Sequence, residues 1–283
     1  MRLSFSSNAF KQDSLITAID RIGEIGYGGV ELMADLHHAY PLTFDAARRK
    51  LTQSHLRDRG MVVSNVNAFT HFVEGDTYRP TWIERDAVQL QKRIDHTKRS
   101  LELAAEFGCE TVSIQPGGPL IGRQMSFDEA GERFADSLAQ CVATARATNT
   151  FIGIEPEPGL FIQTAGEFKA FKDRYFKSED RVKMNCDIGH LFCVGDDPAA
   201  VIRELHADIV HVHLEDIGAN RVHQHLTPGK GVIDFAAVFE AIRQTNYRGQ
   251  VTVELYPYET SAAGVAKLAY EHLSDVMKST TKS

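Results

Sequence analysis

Residues 184–190 read M-N-C-D-I-G-H, and the reading of this stretch decides the architecture. The apolar run 182–186 forms a short strand, Asp187 stands at its end, and His190 follows after Gly189, which lets the backbone turn. A carboxylate at the end of a buried strand must be paired, hydrogen-bonded or metal-bound, because alone it would cost several kcal/mol or take up a proton. Two readings of Asp187 are open on these residues: the N-cap of a short turn over 188–192, or a ligand. Three further apolar strands end in metal-capable residues, Glu155, His213 and Glu254. The question is whether one fold brings four strand ends together.

Outward from this stretch the chain alternates. Strands are expected over 2–6, 28–33, 61–67, 110–115, 151–155, 182–186, 208–214 and 250–255, from apolar and β-branched runs bounded by turn residues. A first helix is expected from the spacing of Leu15, Ile19, Ile22 and Ile25 before Gly26, a second over 43–59, and one long helix over 82–107 with Ile94, Leu101 and Ala104 inward. Ser126-x-x-Glu129 and Thr164-x-x-Glu167 have the form of capping boxes, the first opening a helix with Phe134, Leu138, Cys141 and Val142 on its apolar face. Asp234 caps a helix burying Phe235, Val238, Phe239 and Ile242; the last helix carries Val265, Leu268, Leu273 and Val276 before a tail, 279–283, expected to fray. Parallel strands buried on both faces with crossover helices outside make a single α/β (β/α)8 TIM barrel over 1–283. A doubly wound open sheet fits less well, since no G-x-G-x-x-G turn follows strand one and polar residues stand at nearly every strand's end.

In such a barrel all carboxyl ends converge on one mouth, so Glu155, Asp187, His213 and Glu254 meet although 32, 26 and 41 residues separate them. Three carboxylates and one imidazole are a mainly hard donor set, suited to one divalent ion: Mn2+ first, with Mg2+, Co2+ or Zn2+ as alternatives. Without a cation the acids would repel one another. Asn67 and His71 in N-A-F-T-H-F, and Gln115 in Q-P-G-G-P, stand at strand ends where substrate would lie. Glu157, in E-P-E-P, is either substrate-facing or merely solvated. The loop with His37, His38 and Tyr40, residues 67–72 and Trp82 are expected to cover a site, or else to pack loop against helix.

The rest of the composition narrows the function. The net charge is 31 minus 38, or −7, with no long basic run, which argues against a nucleic-acid partner. Cys109, Cys141, Cys186 and Cys193 lack C-x-x-C spacing and read as reduced core thiols, pointing to the cytoplasm. No apolar run suits a signal peptide or approaches the roughly 18 residues of a membrane span. A homo-oligomer is compatible with all of this.

The second half of the chain resembles the xylose-isomerase-like barrels, which include ketose 3-epimerases, inosose dehydratases, hydroxypyruvate isomerases and endonuclease IV type nucleases. The resemblance rests on G-I-E-P, C-D-I-G-H, H-V-H-L-E-D, H-x-x-P-G-K-G-x-I-D-F and V-T-V-E. It implies that Glu155, Asp187, His213 and Glu254 ligate a divalent metal and that His190 contacts a substrate oxygen. His225 stands where some members have an arginine, in a substrate-binding position. The implied chemistry agrees with the residues: a cation holding two adjacent sugar oxygens polarises a carbonyl and stabilises an enediolate, while Glu155 and Glu254 act as the acid–base pair of an isomerase or epimerase.

Three rivals use the same fold. A keto-sugar or inosose dehydratase would add expulsion of a β-hydroxyl, with His190, His225 or Glu157 as acid. An AP endonuclease with several zinc ions needs more histidines: Gln115-Pro116-Gly117 stands where that subfamily has H-P-G, Asn67 where another histidine would stand, and His223-x-His225 where it has Asp-x-His. A trinuclear centre is therefore not expected. A catalytically silent sugar-binding barrel or subunit would not need every ligand position filled.

Overall fold

A computed structural model describes residues 2–122 and 124–280. Eight parallel strands close in sequence order, β1 (Leu3–Ser6), β2 (Gly29–Met33), β3 (Val62–Asn67), β4 (Thr111–Ile114), β5 (Phe151–Ile154), β6 (Val182–Asp187), β7 (Ile209–Leu214) and β8 (Val251–Val253). Closure is made by β1, whose Ser4 faces Gly29 of β2 on one side and Thr252 of β8 on the other. The molecule is the (β/α)8 barrel expected, and the strands match their sequence boundaries to within a residue or two.

Among the described residues nine α-helices surround the barrel: α1 (Leu15–Ile25), α2 (Ala46–Asp58), α3 (Ala87–Glu106), α4 (Phe127–Ala147), α5 (Ala165–Tyr175), α6 (Ile188–Val194), α7 (Pro198–Leu205), α8 (Phe235–Gln244) and α9 (Ala262–Thr280). Each of α1 to α8 begins at a Ser, Thr or Asp whose side chain accepts a backbone N–H of the first turn, which satisfies one of the donors a helix start leaves free. Thr164 and Glu167 form a reciprocal capping box; Ser126 caps α4, but the Glu129 carboxylate turns instead to Arg85.

Three expectations are corrected. The helix expected over 82–107 starts only at Ala87, because the Trp82 and Ile83 N–H groups donate to the Gly117 carbonyl and Thr81 Oγ1, and Asp86 then caps α3. Between β6 and β7 stand two helices rather than a short turn: Gly195, at φ 98°, ends α6, and Asp197 with Pro198 starts α7. Leu268, expected inward, is 51% exposed; α9 packs through Val265, Ala266, Ala269 and Leu273. Of the tail expected to fray, Ser279 and Thr280 continue α9 and 281–283 lie outside the described residues.

Candidate active site

The barrel register sets the site. Asp187 ends β6 directly opposite His213 of β7, and one residue beyond β5 and β8 the N–H groups of Glu155 and Glu254 donate to the carbonyls of Ile114 and Leu214. All four side chains are buried, and one donor atom of each lies within 4.8 Å of the other three. His213 Nδ1 is 3.0 Å from Glu155 Oε1, 3.7 Å from Asp187 Oδ2 and 3.9 Å from Glu254 Oε2.

Asp187 divides its carboxylate between the two roles open to it. Oδ1 accepts the His190 N–H at 2.7 Å and caps α6, while Oδ2 is buried among the ligand-type atoms with no hydrogen-bond partner. Glu155 Oε2 is likewise buried and unpartnered. Buried carboxylate oxygens left in this way are costly, and a cation would satisfy both. The four residues therefore fit a divalent ion.

Behind His213 stands Glu31, which the sequence reading passed over. It is fully buried, and its Oε2 accepts the His213 Nε2–H at 2.6 Å and lies 3.4 Å from His211 Nε2. Ser6, Asn65 and Asn67 donate to the same carboxylate. With Nε2–H held there, Nδ1 is the nitrogen turned to the cluster, the arrangement that fixes ring orientation and tautomer in metal-binding histidines. The signal was present in sequence: one acid within the otherwise apolar G-G-V-E-L-M strand, on a strand buried on both faces. Glu215 was also missed; it is buried beside Asp187, its oxygens are unpartnered, and the side chain lies against Gly189.

Burial and neighbouring charge tune these groups in opposite directions. Burial raises the carboxyls of Glu155 and Glu254, with His213 opposing the rise in each. Burial alone would lower His213, but Glu31, Glu155 and Glu254 outweigh it and hold the imidazole well above its ordinary range. Burial raises Glu31 too, yet His213 and His211 prevail and keep it ionised. Glu157 is pushed up to about 8 by burial, next by the Glu155 charge, while Tyr78 donates to it at 3.0 Å. His190 falls to about 4 and His225 to about 3, mainly through burial.

Above the cluster lies a cavity of about 250 Å3. Its polar lining includes Asn8, Asn67, Glu155, Glu157, His190, His223 and Glu254, with Lys11, Thr70 and Thr77; Met33, Phe69, Phe72, Tyr78 and Tyr256 form the rest. Of the residues expected at substrate, Asn67, Glu157 and His190 line this space. Gln115, His71 and His225 do not: Gln115 donates to the Phe69 carbonyl, His71 stacks on His96 at 4.3 Å, and His225 lies behind His190. Phe69, Thr70 and Phe72 of the expected stretch 67–72 line the cavity, and Thr77 and Tyr78 beyond it do so too; His37, His38, Tyr40 and Trp82 are absent from the lining, and Trp82 packs on Phe134. Tyr78, Tyr256, Asn8 and His223 are lining residues that sequence reasoning did not single out.

Residues 19–278 match the family described as xylose isomerase-like TIM barrel. The chain is 29% identical over 260 residues to the inosose dehydratase of Lacticaseibacillus casei, covering 86% of this chain and 83% of that one. It is 26% identical over 190 residues to the L-ribulose-5-phosphate 3-epimerase UlaE of Salmonella paratyphi A, covering 66% and 65%. Among solved structures it superposes on a D-tagatose 3-epimerase-like protein with a TM-score of 0.79 at 19% identity, over 99% of this chain and 100% of that one. It superposes equally, at 0.79 and 17% identity over 99% of each, on the IolI protein, solved with a zinc atom.

Proposed function

The chain belongs to the xylose isomerase-like TIM-barrel family, and we propose that it is a divalent-metal-dependent isomerase or epimerase of a small sugar, keto-sugar or keto-polyol. The observation that carries this reading is the convergence of Glu155, Asp187, His213 and Glu254 at one barrel mouth, where Glu155 and Glu254 line a cavity of about 250 Å3 with Phe69, Phe72, Tyr78 and Tyr256 in its wall. The relatives support it, being named for epimerases and an inosose dehydratase, and IolI for its zinc.

A divalent cation in this set, with Mn2+ our first choice, would polarise a substrate carbonyl and acidify the neighbouring C–H. The chain's own residues do the rest. Glu155 and Glu254 rise from β5 and β8, three strands apart around the barrel, so they approach substrate from different sides. One removes the proton beside the carbonyl and the other returns one, which inverts a carbon; return to the adjacent carbon would isomerise. Asn8 and Asn67 donate to Glu254 Oε1 at 2.9 and 3.1 Å and fix the direction in which Oε2 reaches. His190 and Glu157 meet substrate hydroxyls, and Phe69, Tyr78 and Tyr256 shield the reacting centre from water.

A dehydratase is the second reading, and Glu157 favours it: a carboxyl that burial keeps protonated to about pH 8 can give its proton to a departing hydroxyl. An AP endonuclease is disfavoured by Gln115 and Asn67 at positions where it would need histidines. Deuterium exchange distinguishes the readings. The metal-loaded enzyme in D2O, given a panel of ketoses and keto-polyols, should place deuterium beside the carbonyl of its substrate. Glu155→Gln or Glu254→Gln should slow this by about 10^2–10^4 while metal is retained. Water loss with exchange would select the dehydratase, and full exchange in both Gln variants would remove the acid–base assignment.

A further inference from the structure

The segment 69–78 belongs to no helix or strand, yet Phe69, Thr70, Phe72, Thr77 and Tyr78 all line the cavity. A loop without a ladder of its own takes its course from the partners its backbone groups find. Two buried charges supply them. Arg93, on α3 and fully buried, donates from Nε to the Pro80 carbonyl at 2.7 Å and from Nη1 to the carbonyls of Ala68 and Phe69 at 3.0 and 3.1 Å. One guanidinium thus ties the start of the segment to its end. Asp35, fully buried just beyond β2, accepts the Thr70 Oγ1–H and the Phe72 N–H, each at 2.7 Å. Three residues after Arg93, on the same face of α3, His96 stacks on His71 of the segment.

We infer that Arg93 and Asp35 are positioning residues of the cavity, which hold its wall 69–78 in the form that fits substrate without touching substrate themselves. The inference rests on the reading of this cavity as the substrate site. An apolar side chain could fill the Arg93 position without the several-kcal/mol desolvation cost of a buried guanidinium. It could not join Pro80 to Ala68 and Phe69. Lysine could not either, because its ammonium is one point on a flexible stem, whereas the rigid fork aims Nε and Nη1 at two stretches of chain. From its anchors the wall reaches across the cavity: Tyr78 donates to Glu157 at 3.0 Å, and the Phe72 ring lies 5.9 Å from Lys11 Nζ. The metal-type ligands stand at the ends of β5 to β8 and the wall follows β3, so loss of an anchor acts on substrate affinity rather than on metal or proton transfer.

The test compares full-length, Mn2+-loaded wild type with Arg93→Met, Arg93→Lys and Asp35→Asn. Amide hydrogen exchange read by mass spectrometry follows the wall, and deuterium incorporation gives KM and kcat for the ketose that the wild type labels fastest. In each variant peptides covering 69–80 should exchange about tenfold faster, with those of β5 to β8 unchanged. KM should rise about tenfold while kcat and Mn2+ affinity stay within about twofold. Arg93→Lys, which keeps the charge and loses the fork, should fail to restore KM. A role in stability alone would lower the urea midpoint and leave KM of the folded protein as it was. Unchanged exchange over 69–80, or an unchanged KM beside faster exchange, overturns the assignment; if the Arg93 variants do not fold, Asp35→Asn decides by the same two readings. Were the wild type to label no ketose, the proposed reaction would fall, and exchange over 69–80 would still accept or reject the anchors.

Discussion

His213 is bracketed by acids, Glu31 on Nε2 and Glu155 on Nδ1, and the two contacts serve different ends. Glu155 competes with the same nitrogen a cation would use; Glu31 keeps that nitrogen aimed. Glu31→Gln removes the charge and leaves one acceptor oxygen where two now take donors from Ser6, Asn65, Asn67 and His213. The ring loses its fixed tautomer, so metal affinity should fall by about 10–100-fold while the fold persists. Competition with a chromogenic chelator measures this. An unchanged affinity would mean that packing alone orients His213. The residue was hard to read because its importance lies in which strand faces it across the barrel, and that is set by register rather than by neighbours in sequence.

At the scale of elements, the strands were legible because β-branched runs between turn residues have few alternative readings once they alternate with amphipathic segments. Helix starts were less so: the start of α3 depends on Thr81 and the Gly117 carbonyl, a contact from a distant loop. The α6 start carries the sharpest local constraint. A Cβ at Gly189 would come within 1.8 Å of Glu215 Oε1, so this glycine serves close packing of helix against β7. Alanine has the higher helix propensity, by about 1 kcal/mol. Gly189→Ala should nevertheless destabilise by about 1–3 kcal/mol, because Glu215 is buried and must move. In a Glu215→Ala background the same substitution should become neutral or stabilising. Urea denaturation of the two singles and the double gives the coupling, and strictly additive effects would disprove the contact.

Over the whole molecule, four ligand-type residues far apart in sequence were legible as one cluster because a barrel gathers strand ends; the walls of the cavity were not, because loops place them. His71 illustrates the difference. Expected at substrate, it is instead buried in a stack with His96, beside Tyr40, away from the cavity. This displacement has a consequence for stability. Burial lowers His38 to about 4 and His71 to about 3, and burial, then His71 and Arg93, lower His96 well below its ordinary range. A histidine whose folded pKa lies below its unfolded value binds its proton more readily in the unfolded chain. The stability these rings contribute is therefore intact above about pH 6.5 and drains away as pH falls toward 3–4. His71→Phe keeps a ring against His96 and removes one titrating group. Between pH 7 and pH 5 the wild type should lose about 1–2 kcal/mol more stability than the variant, whose carboxylates titrate as before. Urea midpoints at the two pH values, taken with metal chelated so that ligand protonation does not intrude, measure the difference. Equal losses in both proteins would show that His71 is not a source of acid sensitivity.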